Sequence, residues 1–363
     1  MASYLRKDTE LAEVFASWEG MEGVQAPLSR TRRPPYLDTA RAIYPGLLVA
    51  STVALCSILI SEHYRAPVML LTLLFGMSLN FLHQEGRCVP GIEFTSKVVL
   101  RTGVALLGAR ITVGQIASLG AGPIVAVMTA VALTIGLGAA LAPAFKLGRG
   151  FGILSGGAVA ICGASAALAI ASVLPSRKRA AEETIVVVIG VTSLSTVAMI
   201  LYPLLAGALH LDRLTAGIFL GGAIHDVAQV VGAGYSISPE TGDVATYVKL
   251  LRVALLAPVV FGLAFAASRL KGGRVSAGRP PMPWFLLAFV GLVVLGSLGQ
   301  FGPSTVEVAS TISRWCLVAA IAALGMKTTF KGMIDLGWAP IALMVLETAW
   351  IAAIILSYLV LFR

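Results

Sequence analysis

Eleven long apolar runs joined by short linkers leave this chain few ways to fold. Crossing a bilayer takes about 20 mostly apolar residues. Such runs lie at roughly 43–61, 66–82, 94–111, 121–142, 151–174, 183–205, 213–235, 245–268, 284–300, 306–326 and 338–361. Backbone in hydrocarbon must satisfy its own hydrogen bonds, so runs of this length read as helices. Composition agrees, because 57% of the 363 residues are hydrophobic and 12% charged, about half the charged share of a soluble domain. The 38 Gly and 17 Pro fall largely inside apolar runs, a pattern transmembrane helices tolerate. The expected fold class is all-α, a polytopic membrane protein of about ten or eleven transmembrane helices. This composition rules out a disordered chain and argues against an ordinary cytosolic enzyme.

The formal net charge is +9, carried mainly by the N-terminal segment and by loops between apolar runs. That distribution points to lipid headgroups and membrane topology, not to nucleic acid. Cys56, Cys88, Cys162 and Cys316 are scattered, with no CxxC pair. Neither a disulfide framework nor a zinc site is expected, and no cofactor is implied. Residues 1–42 are polar, with Leu11, Val14, Phe15, Trp18 and Met21 at helical spacing. They predict a short amphipathic helix at the cytoplasmic face. The first long apolar run begins only near Ile43, so the N-terminal segment is not expected to be a signal peptide. Residues 43–363 form the membrane domain, with a basic, Gly- and Pro-rich seam at 269–283.

Six Lys and Arg residues in the N-terminal segment and four in the seam put both on the cytoplasmic side of the membrane. Eleven spans would then leave Ser176-Arg177-Lys178-Arg179 outside. Either that loop is an exception, or one segment is re-entrant.

Two internal echoes stand out. At an offset of 217, Ala105, Leu107, Gly108, Thr112, Leu119, Gly120 and Pro123 match Ala322, Leu324, Gly325, Thr329, Leu336, Gly337 and Pro340, and Arg110 meets Lys327. These stretches lie an odd number of spans apart, the signature of an inverted repeat. The second echo is GILSGGA at 152–158 with GIFLGGA at 217–223. Each contains a GxxxG face, which suits close helix packing inside the chain or in a homodimer.

Enzyme motifs such as GxxxxGK[ST], HExxH and GxSxG are absent. What remains is polarity at membrane depth. The segment from Gly156 and Gly157 to Cys162, Gly163, Ala164 and Ser165 would weaken a helix mid-span. A broken helix there exposes N–H groups that favour an anion, with Ser165 as a further donor. Mid-span His225 and Asp226, with Gln229 within helical reach, could bind substrate or carry a proton. Arg101, Arg110 and Lys327 are further charge candidates; the last two close apolar runs and could simply snorkel. Lys249 and Arg252 share a helix face and are read as lining a membrane edge. Glu347, deep in the last run, calls for a basic partner.

At GGAVAICGASAALAIASVLP (156–175) and GGAIHDVAQVVGAGYSIS (221–238) the sequence resembles the YeiH family of bacterial inner-membrane proteins, whose members are labelled sulfate exporters. LLGARITVGQI and ALGMKTTFKGM are similar to that family's paired motifs, and the resemblance covers roughly residues 40–363. It implies an architecture similar to bile-acid/sodium symporters and cation–proton antiporters, with two inverted repeats and two broken helices crossing at the midplane. The function expected is secondary transport of a small anion (sulfate, sulfite or a sulfonate) by alternating access, with proton or sodium coupling. A sodium or proton antiporter using Asp226 is the alternative. A membrane-embedded enzyme using His225 and Asp226, and a structural or sensory membrane protein, are weaker ones.

Overall fold

The computed structural model describes residues 36–64, 67–84, 86–118, 120–174, 180–271, 284–328 and 337–361, and every regular element among them is helical. The main helices are α1 (Tyr36–Tyr64), α2 (Val68–Ser78), α4 (Gly122–Leu141), α5 (Arg149–Ala160), α6 (Ala164–Val173), α7 (Ala180–Ala208), α8 (Arg213–Ala223), α9 (Val227–Ile237), α10 (Pro239–Ala254), α11 (Leu256–Lys271), α12 (Trp284–Ser297), α13 (Pro303–Lys327) and α14 (Trp338–Leu361). The third, α3, joins Val89–Phe94, a π-helical turn Thr95–Val99 and Leu100–Leu107 without a gap. All eleven apolar runs are helical, and six helices are long and apolar enough to cross a membrane. The chain is an all-α polytopic membrane protein. The amphipathic run at Leu11–Met21, the basic 176–179 loop and most of the 269–283 seam lie outside the described residues.

The last helix serves as a ruler. Trp338 at its start lies 6.0 Å, ring to ring, from Phe145, just ahead of α5. Glu347 accepts a hydrogen bond from Ser155 of α5 at 2.8 Å, and Thr348 meets His225 at 3.0 Å. Farther along, Ile355 packs on Gly222 of α8 and Tyr358 on Gly122 of α4. Hence α5 approaches from one end of α14 and α8 from the other. They meet near its midpoint, about 15 Å from Trp338 at 1.5 Å per residue.

Neither of these two runs crosses. Ile170 of α6 folds back onto Gly157 of α5. Gly217 of α8 and Gly234 of α9 both lie against the first turn of α10, at Thr241 and Gly242. The runs 151–174 and 213–235 are therefore helical hairpins, entering from opposite sides with their tips in contact. This corrects the two crossing helices that the family resemblance implied, and it doubles the single re-entrant segment considered above. It also removes the objection from the basic loop. The described helix ends from which residues 1–35, 175–179 and 272–283 depart all lie on one side.

The first echo is an inverted repeat in space. Lys327, ending α13, pairs with Glu93 near the start of α3 at 2.8 Å. Farther along, Ser313 of α13 donates to the Gly103 carbonyl of α3 at 2.7 Å. These two helices are antiparallel, as are α4 and α14, which meet at Gly122 with Tyr358 and at Gly138 with Glu347. The matched glycines Gly120 and Gly337 share positive φ values of 72° and 78° just ahead of α4 and α14. In the second echo, Gly152 and Gly156 pack on α4 while Gly217 and Gly221 pack on α10. Both GxxxG faces are thus occupied within the chain.

The helices group in two bundles. One contains α1, α2, α3, α12 and α13; the other contains α4 to α11 with α14, and α9 touches both α2 and α13. Gly46 against Gly91, and Gly76 against Gly325, let backbones of the first bundle approach closely.

Candidate functional site at the hairpin tips

Each hairpin bends because its sequence stops being able to continue a helix. In the first, α5 ends at Ile161, and Gly163 adopts φ 64° and ψ −127°. That conformation is essentially confined to glycine. In the second, Ile224 and Asp226 are extended, and the Asp226 carboxylate accepts from the Ala228 N–H at 2.8 Å, capping α9. Ser195 of α7 braces this turn, its hydroxyl oxygen accepting from the N–H groups of His225 (3.2 Å) and Asp226 (3.1 Å).

The two arms that run inward, α5 and α8, end tip to tip with their C-terminal carbonyls directed at two cations of α10. Lys249 donates to the carbonyls of Ile161 (2.6 Å), Ile224 (3.0 Å) and His225. Arg252 donates through Nε to Ala160 (2.7 Å), through Nη2 to Val159 (2.7 Å), and through Nη1 to Gly222 and Ile224 (both 2.8 Å) and Gly221 (3.2 Å). Both side chains are 0% exposed. A charge at this depth is tolerated only when fully hydrogen-bonded, and here the negative ends of two helix dipoles supply the partners. Lys249 uses all three of its donors. The sequence reading that put this pair at a membrane edge is corrected. Three-residue spacing does place them on one face, but that face is turned toward carbonyls 88 and 92 residues earlier in the chain.

His225 is fully buried beside them. The Val159 carbonyl, 3.0 Å from Nδ1, can only accept, so Nδ1 carries a proton. Its Nε2 faces the Thr348 hydroxyl at 3.0 Å. Gln229 is also buried; its Nε2 donates to Thr196 at 2.9 Å, and its Oε1 has no hydrogen-bond partner among the described residues.

The structure thus brings Cys162, Gly163, Ala164, Ser165, His225, Asp226 and Gln229 to one junction. Cys162 and Gly163 are buried, Ala164 and Asp226 half-buried, and Ser165 exposed at the start of α6. Gly157 lies deeper in the first hairpin, where its missing side chain makes room for Ile170. Arg101 of α3, in the other bundle, holds its guanidinium 5.9 Å from the centre of the Phe285 ring. Arg110 and Lys327 are each held in an ion pair. Arg110 pairs with Asp243 at 2.9 Å. Lys327 pairs with Glu93, which also binds Lys97 (2.8 Å) and His83 (2.9 Å). Among the described residues Glu347 has no basic partner, and it accepts from Ser155.

Paired helical hairpins, inverted repeats and buried basic side chains at the hairpins' meeting point define a multi-pass membrane protein. The chain belongs to the family described as conserved hypothetical protein 698, whose family model matches residues 45–344. It is 51% identical to a UPF0324 membrane protein of Chlorobaculum tepidum over 87% of this chain and 89% of that one. It is 50% identical to the UPF0324 membrane protein TauZ of Paracoccus denitrificans, over 88% and 96% of the two chains. A UPF0324 membrane protein of Rhizobium meliloti is 49% identical over 91% and 97%. No solved structure matches the chain.

Proposed function

We propose that the chain is a secondary transporter of a small oxyanion, such as sulfate, sulfite or a small sulfonate, and that the hairpin junction is its binding site. The observation that carries this reading is the charge balance there. Two buried cations, Lys249 and Arg252, stand at the junction with one carboxylate, Asp226, among helix starts and helix ends present in equal number. Helix dipoles of opposite sense cancel, so the tips hold an excess of positive charge at membrane depth, which an anion would balance. The donors available to that anion are the first N–H groups of α6 and the exposed Ser165 hydroxyl. Two hairpins of opposite entry, set in one of two bundles, suit alternating access. The basic segments favour a cytoplasmic N-terminus.

Flux of sulfate, sulfite and a small sulfonate into proteoliposomes, with and without a pH gradient, tests the proposal. Saturable uptake is expected, with Ser165→Ala raising the half-saturating concentration several-fold. Sodium-dependent flux that needs no anion would replace this reading with a cation site at Asp226.

A further inference from the structure

Away from the tips, a second ionisable group lies at mid-depth with no role in the junction. Glu347 is 0% exposed at the middle of α14. Its Oε1 accepts from Ser155 at 2.8 Å, and its Oε2 has no hydrogen-bond partner among the described residues. None of the ion pairs among the described residues includes it. The helices around it bring little charge. It is the only ionisable side chain but one in α14 (Tyr358 is the other), and α4 has none. Arg149 starts α5, Glu182 and Glu183 lie in the first turn of α7, and Arg213 starts α8. These charged groups stand at helix ends, and Tyr202, the other titratable side chain of α7, packs on the Phe219 ring of α8. His225 is reached through Thr348, the next residue of α14. Beyond it, Lys249 and Arg252 are committed to carbonyls. Against Glu347 itself lie Gly138 and the Gly152–Ser155 turn of α5.

An ionised carboxylate at this depth, with one hydroxyl for company and no cation, is far costlier than the neutral acid. A dehydrated metal cation would need several oxygens around it, and Ser155 is the one side chain seen bonded to the carboxyl. We propose that Glu347 is a proton-binding site, taking up one proton on Oε2 and returning it to water as the carboxylate when the packing of α5 against α14 loosens. Its adjacency to Thr348, which contacts His225 of the second hairpin, gives that proton a mechanical link to both hairpins. The coupling role, though not the proton site itself, rests on the transporter reading above.

Infrared difference spectroscopy of the purified protein in lipid vesicles, titrated in pH, tests this without any substrate. A carboxylic-acid C=O band is expected to appear on acidification or to be present throughout. It should be lost in Glu347→Gln, kept in Asp226→Asn, and displaced in frequency in Ser155→Ala, which removes the donor and leaves the carboxyl in place. Gln is close in shape to the neutral acid, and folding is checked by thermal unfolding of each variant. A wild-type protein without such a band, a band unchanged in both Glu347→Gln and Ser155→Ala, or a band abolished by sodium at constant pH would overturn the proposal. If anion flux exists, Glu347→Gln should keep anion–anion exchange and lose stimulation by a pH gradient. A protein that moves no anion yet shows the Glu347 band would refute the transporter reading and leave the proton site standing.

Discussion

Lys249 is the residue on which the two tips depend most. Its ammonium binds three carbonyls from two hairpins, so no single hairpin can keep it satisfied. Replacing it by Met would strand the buried carbonyls of Ile161 and His225, while Ile224 keeps its bond from Arg252, each lost partner costing roughly 1–3 kcal/mol. We expect Lys249→Met to lower the melting temperature in detergent far more than removal of an exposed lysine. Lys249→Arg should not restore it, because a planar fork cannot serve three carbonyls converging on one point. At this scale the sequence was partly legible. Gly163 and the His225–Asp226 pair announced themselves, the first by glycine density and the second by charge in an apolar run. Lys249 and Arg252 gave the same signal of charge at depth. Their role depends on partners so far away in sequence that no local pattern carries it.

At the scale of elements, what distinguishes a hairpin from a span is arm length. The arms of the first hairpin have 12 and 10 residues, and those of the second 11 each. At 1.5 Å per residue each reaches about half of a 30 Å hydrocarbon core. The summed hydropathy of two such arms equals that of one span, which is why the breaks could be read from sequence while the reversals could not. Close backbone packing then holds each hairpin to its neighbour. Gly152 and Gly138 leave no space for a side chain between α5 and α4. Gly152→Val should therefore push the first hairpin off α4, costing about 1–3 kcal/mol as overpacking does. Thermal unfolding would register that loss, and Gly136→Val on α4, where nothing lies within 4 Å, is the matched control expected to change little.

For the whole molecule, the hairpins decide topology. With both runs turning back, the described helix ends that flank the N-terminal segment, the 176–179 loop and the 269–283 seam lie on the same side, so one rule for lysine and arginine is expected to cover all three. In a cysteine-depleted background, Ser176→Cys and Ser276→Cys should react with a membrane-impermeant thiol reagent only after the cells are permeabilised. Ser304→Cys, exposed near the start of α13 on the opposite side, should react in intact spheroplasts. Labelling of Ser176→Cys from outside would mean that the first hairpin crosses after all. The inverted repeat was legible because glycines and a proline recur at a constant offset. The division into two bundles was not, since it rests on contacts that ignore chain order.

The clamp on the tips also sets an order of events during synthesis. When the first hairpin leaves the ribosome, the carbonyls of Val159, Ala160 and Ile161 have no donor, since Lys249 and Arg252 follow 88 to 93 residues later. A nascent chain that stops short of α10 therefore carries an inserted but unlocked hairpin, a form open to proteolysis until translation supplies its two cations.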